Sequence, residues 1–239
     1  MKTISILLLS AMSIFIFNLS AQQSCGTVTD IDGNEYRSVR IGNQCWMKEN
    51  LKVTKYPSGT SIPELTDKTA WANLGDNGID DAFCYYNNNA NGEANTYGAL
   101  YTWSAAMGDN VKSSNSNESI VQGICPDGWH LPREAEWTEL TNFLGGDSIA
   151  GGKMKTIGTL HWNSPNEGAD NSSGFSGIPG GCRSSYDGSF GDLGYTYFWS
   201  STESDSTFAW MFILYSRYPA LGKGNNYKSN GLSVRCLKD

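Results

Sequence analysis

The sequence predicts an α+β domain, and three observations carry that prediction. Residues 132–144 (PREAEWTELTNFL) have the apolar spacing of a helix, and residues 208–215 (FAWMFILY) form a nearly continuous apolar strand. Residues 27–42 (TVTDIDGNEYRSVRIG) alternate apolar and polar side chains on both sides of an Asp-Gly turn. No internal repeat and no linker divides the chain, so helices and short, glycine-punctuated strands belong to one unit.

The first 21 residues read as a secretory leader: Lys2, a 14-residue apolar run over 4–17, then small residues up to Ala21. The run is shorter than the ~20 apolar residues a bilayer span requires. Gln22-Gln23-Ser24-Cys25 does not fit a lipid-anchored start. The expected folded unit is therefore residues 22–239, a single exported domain with no membrane span. Whether it ends in the periplasm, at the outer surface or in the medium stays open, as does its oligomeric state.

Within that unit, Asp32-Gly33 predicts a hairpin. The string from Asp30 to Asn34 imitates the opening of a calcium loop, but the twelfth position is Ile41, which offers no carboxylate. Residues 42–65 read as extended, anchored by Trp46 and Leu51. A short helix is expected over 67–74, stopped by Gly75. A longer one is expected over 96–107, where Leu100, Trp103 and Met107 share a stripe and Gly108 ends it. The asparagine-rich stretch 87–95 and the polar stretch 112–118 read as surface loops. The helix over 132–144 opens on Pro132, places Glu134 and Glu136 at the positive end of its dipole, and aligns Trp137, Leu140 and Leu144 before Gly145. Residues 195–201, 208–215 and 231–237 are the expected strands, the middle one buried on both faces.

Composition excludes several functions. Removing Lys2 from the 17 basic residues leaves 16 against 24 acidic ones, without a Lys/Arg cluster, so nucleic acid is not an expected partner. A total of 29 aromatic residues excludes a disordered chain. The 27 Gly, 21 Asn and 28 Ser point to tight turns and polar loops. Six cysteines (Cys25, Cys45, Cys84, Cys125, Cys182 and Cys236) read as disulfides in an exported chain, their connectivity open. There is no CxxC, and His130 and His161 are the only histidines. Zinc, thiol catalysis and any cofactor are therefore not expected.

A Ser-His-Asp hydrolase would have to use His130 or His161. His130, between Trp129 and a helix start, reads as structural, and no carboxylate pair is marked by its setting, so no catalytic residue is expected. A binding surface has better support. Between residues 181 and 227 aromatic rings interleave with amides and carboxylates, the mixture that recognises sugars. The ligand candidates are Tyr186, Tyr195, Tyr197, Trp199, Glu203, Tyr218, Asn225, Asn226 and Tyr227, accompanied by Trp210, Tyr215, Asp187 and Asp192. Trp199 and Trp210 suit core packing better than a ligand, whereas for Tyr186, Tyr218 and Tyr227 the two readings are balanced. The expected site lies on the loops between Asn171 and Asn230.

The ordered motifs DIDGNEY, IGNQCWMKENL, YGALYTWSAAM, GICPDGWHLPREAEW, GFSGIPGGCR, FWSSTES and GLSVRCLKD resemble the Fibrobacter succinogenes major paralogous domain family over residues 28–239. That resemblance implies an exported protein of the Bacteroidota type and brings no activity with it. More distantly, LPREAEW is similar to a helix motif of the formylglycine-generating-enzyme family, and GLSVRC looks like its terminal strand. This implies a C-type-lectin-like fold: two main helices against a small, irregular, mostly antiparallel sheet, with chain ends together and long loops on one side. The ends meeting favours a Cys125–Cys236 bond. The close cysteine pair of those enzymes and the histidines of the related iron sulfoxide synthases are absent, as are the EPN, QPD and WND tripeptides of calcium lectins. The expected protein is a secreted or cell-surface, non-catalytic binding module recognising glycans. The alternatives are a protein–protein adhesion or structural surface module, and an enzyme of unknown activity. Its partner would be a surface glycan or a surface protein.

Overall fold

The computed structural model describes residues 23–75, 80–108 and 120–239. The expected leader and the loop expected at 112–118 lie outside the described residues. In chain order the first half contains β1 (Thr27–Thr29), β2 (Glu35–Ile41), β3 (Gln44–Met47), α1 (Lys68–Ala72), β4 (Phe83–Tyr85), α2 (Glu93–Tyr97), β5 (Ala99–Tyr101) and α3 (Trp103–Met107). The second half adds β6 (Trp129–His130), α4 (Glu134–Phe143), α5 (Asp147–Met154), β7 (Tyr195–Glu203), β8 (Phe208–Tyr215), β9 (Leu221–Tyr227) and β10 (Leu237–Lys238). Three sheets result, ordered β1-β2-β3-β10-β6, β4-β5 and β7-β8-β9, and every pair of named strands is antiparallel.

The β1–β2 hairpin forms where the Asp-Gly turn predicts it, and Asp30 closes it. Asp30 Oδ1 accepts from the Asp32 and Asn34 amides at 3.0 and 2.9 Å, and Oδ2 from the Tyr36 hydroxyl at 2.7 Å. Local donors thus occupy the carboxylate that a calcium loop would have presented. Among the described residues no cluster of three or more His, Cys, Asp and Glu could hold a metal ion.

α1 starts where expected, with Asp67 Oδ1 accepting from the Ala70 amide at 2.7 Å and Trp71 buried beneath it. α4 also follows the sequence: Trp137, Leu140 and Leu144 are buried, and Gly145 turns the chain at φ 100°. Trp137 is the centre of an aromatic cluster, stacked on Phe212 at 5.0 Å and Phe198 at 5.4 Å. Burying a ring of this size contributes about 1.5–3 kcal/mol.

Four expectations need correction. The helix over 96–107 is broken: Gly98 has φ +77°, and a Cβ there would lie 2.7 Å from Asn50 Cβ and 2.8 Å from Leu51 O. The close pass against Asn50 and Leu51 turns the chain into β5, which pairs with β4, and Thr102 then caps the one-turn α3. The tract 231–237 is not one strand. It is a buried connector that bridges Arg183, Tyr101 and Phe198 in turn before β10 joins the five-stranded sheet. β8 is not buried along both faces, because Trp210, Ile213 and Tyr215 are only half-buried. Finally, two disulfides form, Cys25–Cys45 and the favoured Cys125–Cys236, while Cys84 and Cys182 are free. Cys84 packs with Trp71 and Leu100, whereas Cys182 packs toward the separate cluster that holds Trp199 and Met211, so the pair does not meet. Burial pushes the Cys84 thiol up to about 12.

Two bonds of this kind suit an extracytoplasmic protein. Among the described residues no helix is long and apolar enough to cross a membrane.

Candidate ligand-binding surface

The β7-β8-β9 sheet positions the aromatic residues that the sequence marks. Side chains alternate across a strand, so register decides which of them share a face. Tyr195 pairs with Tyr215, Tyr197 with Ile213, and Trp199 with Met211. On the far side of β8, Ile213 faces Gly222 and Met211 faces Gly224. One face therefore carries Tyr195, Tyr197, Ile213 and Tyr215, flanked by an edge strand with two positions lacking side chains. Toward Trp199 and Met211 this face runs under the larger core; toward Tyr195 it opens to solvent.

The rings form a lane. Tyr195 and Tyr197 stack at 6.0 Å with planes 20° apart; Tyr195 meets Tyr215 edge-on at 5.8 Å, and Tyr215 meets Tyr218 at 5.9 Å. Gly222 makes room for this: a Cβ at that position would lie 2.0 Å from the Tyr215 hydroxyl. Burial raises the Tyr197 and Tyr215 phenols above their ordinary range, so both stay neutral, able to donate and accept.

Polar groups rim one end of the lane. Asp192 Oδ1 accepts from Asn163 Nδ2 at 3.0 Å and from the Gly194 amide at 3.1 Å, while Oδ2 has no partner among the described residues. The other end is anchored from below. Lys155 is fully buried and donates to the carbonyls of Tyr215 at 2.7 Å, Glu167 at 2.8 Å and Tyr218 at 3.1 Å. Burial pulls its ammonium down to about 8. The Tyr218 loop is thus pinned by one cation holding three carbonyls.

The nine ligand candidates separate. Tyr195, Tyr197 and Tyr218 come together in this lane, joined by Tyr215. Trp199 is fully buried and donates from Nε1 to Tyr101 O at 2.8 Å, which makes it a core residue out of reach of any ligand. Glu203 is an internal ion-pair partner: its carboxylate meets Lys228, which lies 4.7 Å over the Trp103 ring. Asn225 and Tyr227 lie on the opposite face of the sheet, where Tyr227 packs on Phe208 at 4.5 Å. The Asn226 carboxamide accepts from Asn230 and from the Tyr227 amide. Tyr186 is 94% exposed at a loop tip, away from the lane's ring contacts. Asn163, Gly222 and Lys155 lie outside the sequence-marked set. The i, i+2 glycines of LGKGNNY were the one available signal, since a strand drops side chains where something must pass close.

Fold and surface define a disulfide-linked α+β domain with antiparallel sheets and a half-open aromatic face. The chain belongs to the Fibrobacter succinogenes major domain family, whose model matches residues 39–238. No curated protein and no solved structure matches it.

Proposed function

We propose that this protein is a non-catalytic glycan-binding module, exported by its leader, and that the tyrosine lane of the β7-β8-β9 sheet is its binding surface. The observation that carries the reading is the lane itself: four tyrosines, Tyr195, Tyr197, Tyr215 and Tyr218, in ring contact on one face beside Gly222 and Gly224. Half-open phenol rings offer flat apolar faces to pyranose rings and hydroxyls to their edges. The Asp192 carboxylate and the Asn163 amide supply the acceptor and donor that sugar hydroxyls require.

The non-catalytic part of the reading is supported by His130. Its Nδ1 meets Asp239 at 2.7 Å and its Nε2 meets Glu136 at 3.2 Å, so neither ring nitrogen is left to activate a hydroxyl. The fold we propose with this function is C-type-lectin-like, on the strength of two main helices, α4 and α5, against small antiparallel sheets, with β1 and β10 in the same sheet.

A glycan-array screen of the oxidised protein, with and without calcium, tests the reading. Saturable, calcium-independent binding to one glycan class is the expected result. A blank array from folded protein would overturn it and leave protein–protein adhesion as the better reading.

A further inference from the structure

A second concave site lies apart from the tyrosine lane and shares no residue with it. It is a cavity of about 360 Å³ between the β2–β3 hairpin, α2 and the loops that carry Thr156, His161 and Ser176. That volume falls in the range of about 300–1,000 Å³ typical of small-molecule sites. The wall is rigid. Asn50 is 4% exposed, donates from Nδ2 to Tyr97 O at 2.9 Å and accepts on Oδ1 from Arg235 Nε at 2.8 Å. Gly98, on the same cavity, has no room for a side chain, because a Cβ would strike Asn50.

The charges on this cavity do not cancel. Arg37 and Glu49 neutralise each other in a bidentate contact, with Arg37 Nε and Nη2 each 2.7 Å from Glu49 Oε1 and the Arg37 amide on Oε2 at 2.9 Å. Lys52 Nζ has only the neutral Asn95 Oδ1 at 3.0 Å, and Lys48 Nζ has no partner among the described residues. Glu35 is the remaining carboxylate on the lining and is exposed. Directly behind the wall sits Arg235, fully buried, giving its protons to Asn50 Oδ1 and to the carbonyls of Met47, Phe175 and Ser176. No carboxylate lies within ion-pair distance of it among the described residues. An excess of cations is thus held around a concave site in a chain of net charge −7, where a uniform surface would be negative.

We propose that this cavity binds a carboxylate-bearing sugar residue of the hexuronate kind, with Lys48 and Lys52 as the ion partners of its carboxylate and Asn95, Thr156 and His161 facing its hydroxyls. A single carboxylate matches the small surplus of positive charge. The lining offers amides, hydroxyls and an imidazole rather than a nest of backbone N–H groups, so it suits a polyhydroxylated monoanion better than a phosphate. The site stands independently of the tyrosine lane.

Calorimetric titration of the oxidised protein at low salt tests it, with methyl β-D-glucuronide, methyl β-D-glucoside, acetate and inorganic phosphate as probes. The expected result is saturable binding of the glucuronide in preference to the other three, weakened by added salt. Lys48→Gln combined with Lys52→Gln should reduce that affinity roughly tenfold or more, because two charge-assisted contacts are lost. Tyr186→Ala, at an exposed loop tip outside both the cavity and the lane, should leave it unchanged and is the control for the lysine pair. Four outcomes would overturn the proposal: no glucuronide binding, equal binding of the neutral glucoside, preference for phosphate or acetate, or full affinity in the lysine double variant with an unaltered melting temperature.

Discussion

On the inner face of the β7-β8-β9 sheet, Phe198, Phe212 and Leu214 are buried against Trp137 of α4. On the outer face, Tyr195, Tyr197 and Tyr215 stand beside a glycine strand and remain half open. The same three strands supply both faces, and the alternation of side chains separates them. Beneath α4 the inner face excludes water and holds the helix to the sheet. The outer face keeps part of its ring area open, with hydroxyl-bearing rings in place of Phe. Along β7 and β8 the outer face passes from half-open tyrosines to Trp199 and Met211, which are buried in the larger core.

The comparison breaks most visibly at Trp137. Trp137→Ala removes the ring that Phe198, Phe212 and Phe175 pack around, and should cost ~3–5 kcal/mol. Chemical denaturation should show that loss, while ligand affinity measured below the melting transition stays the same. An affinity loss matching the stability loss would mean the faces are not separable.

Gly222→Ala tests the outer face by filling it. Its new methyl would lie 2.0 Å from the Tyr215 hydroxyl, so the ring must swing out, at a cost of about 1–3 kcal/mol. Glycan binding should fall with it. Gly224→Ala meets only Met211 Cε at 3.3 Å and serves as the mild control. Lys155→Met should act from beneath, freeing the carbonyls of Glu167, Tyr215 and Tyr218 and costing about 1–3 kcal/mol. Tyr218 should then show faster amide exchange than in the wild type.

A pH series sharpens the contrast further, because the titrating latch lies on the packed side. Burial works against a charged His130, but hydrogen bonds to Glu136 and Asp239 outweigh it and raise its pKa above the ordinary 6.5. A raised folded value contributes stability that is complete below the unfolded pKa and is lost as pH rises through the folded one. Glu136 shows the opposite sign: its burial is outweighed by His130 and Arg133, which lower it to about 2, so its contribution holds above 4.5 and disappears as pH falls through about 2. Thermal melts should therefore decline gently as pH rises above 6.5, and His130→Gln should flatten that decline. Lane binding should hold through the His130 window and weaken only toward about pH 8, where the Lys155 ammonium that pins the Tyr218 loop loses its proton.

Much of this contrast was legible in the sequence. α4 announces itself through Pro132, its apolar stripe and Gly145, and the strands over 195–201 and 208–215 lie where their apolar content puts them. What escaped is what close packing alone explains. α5 runs through Gly151 and Gly152, poor helix formers by propensity, because Ala220 O and Gly168 O lie 2.1 and 2.3 Å from where their Cβ atoms would be. β9 reads as a loop for the same reason, its Gly222 making room for Tyr215 rather than for a turn. Nothing in the sequence marks Arg183, Arg235 and Lys155 for burial, yet all three are fully buried and donate to backbone carbonyls. Of the candidate site, strand alternation could place Tyr195 and Tyr197 together. Only register and ring contacts could add Tyr215 and Tyr218 and send Tyr227 to the other face.

The smallest expected effect on stability comes from Tyr218→Ala. At 60% exposure, its loss should cost within about 0.5 kcal/mol while weakening glycan binding measurably.

The most direct measurement compares glycan binding and thermal unfolding of the wild type with those of the Tyr195→Ala, Tyr215→Ala double variant, using the glycan selected on the array. The account predicts that binding is lost while the melting transition stays cooperative. Undiminished binding by a folded double variant would contradict it, and the outer face would then be only an incompletely covered sheet.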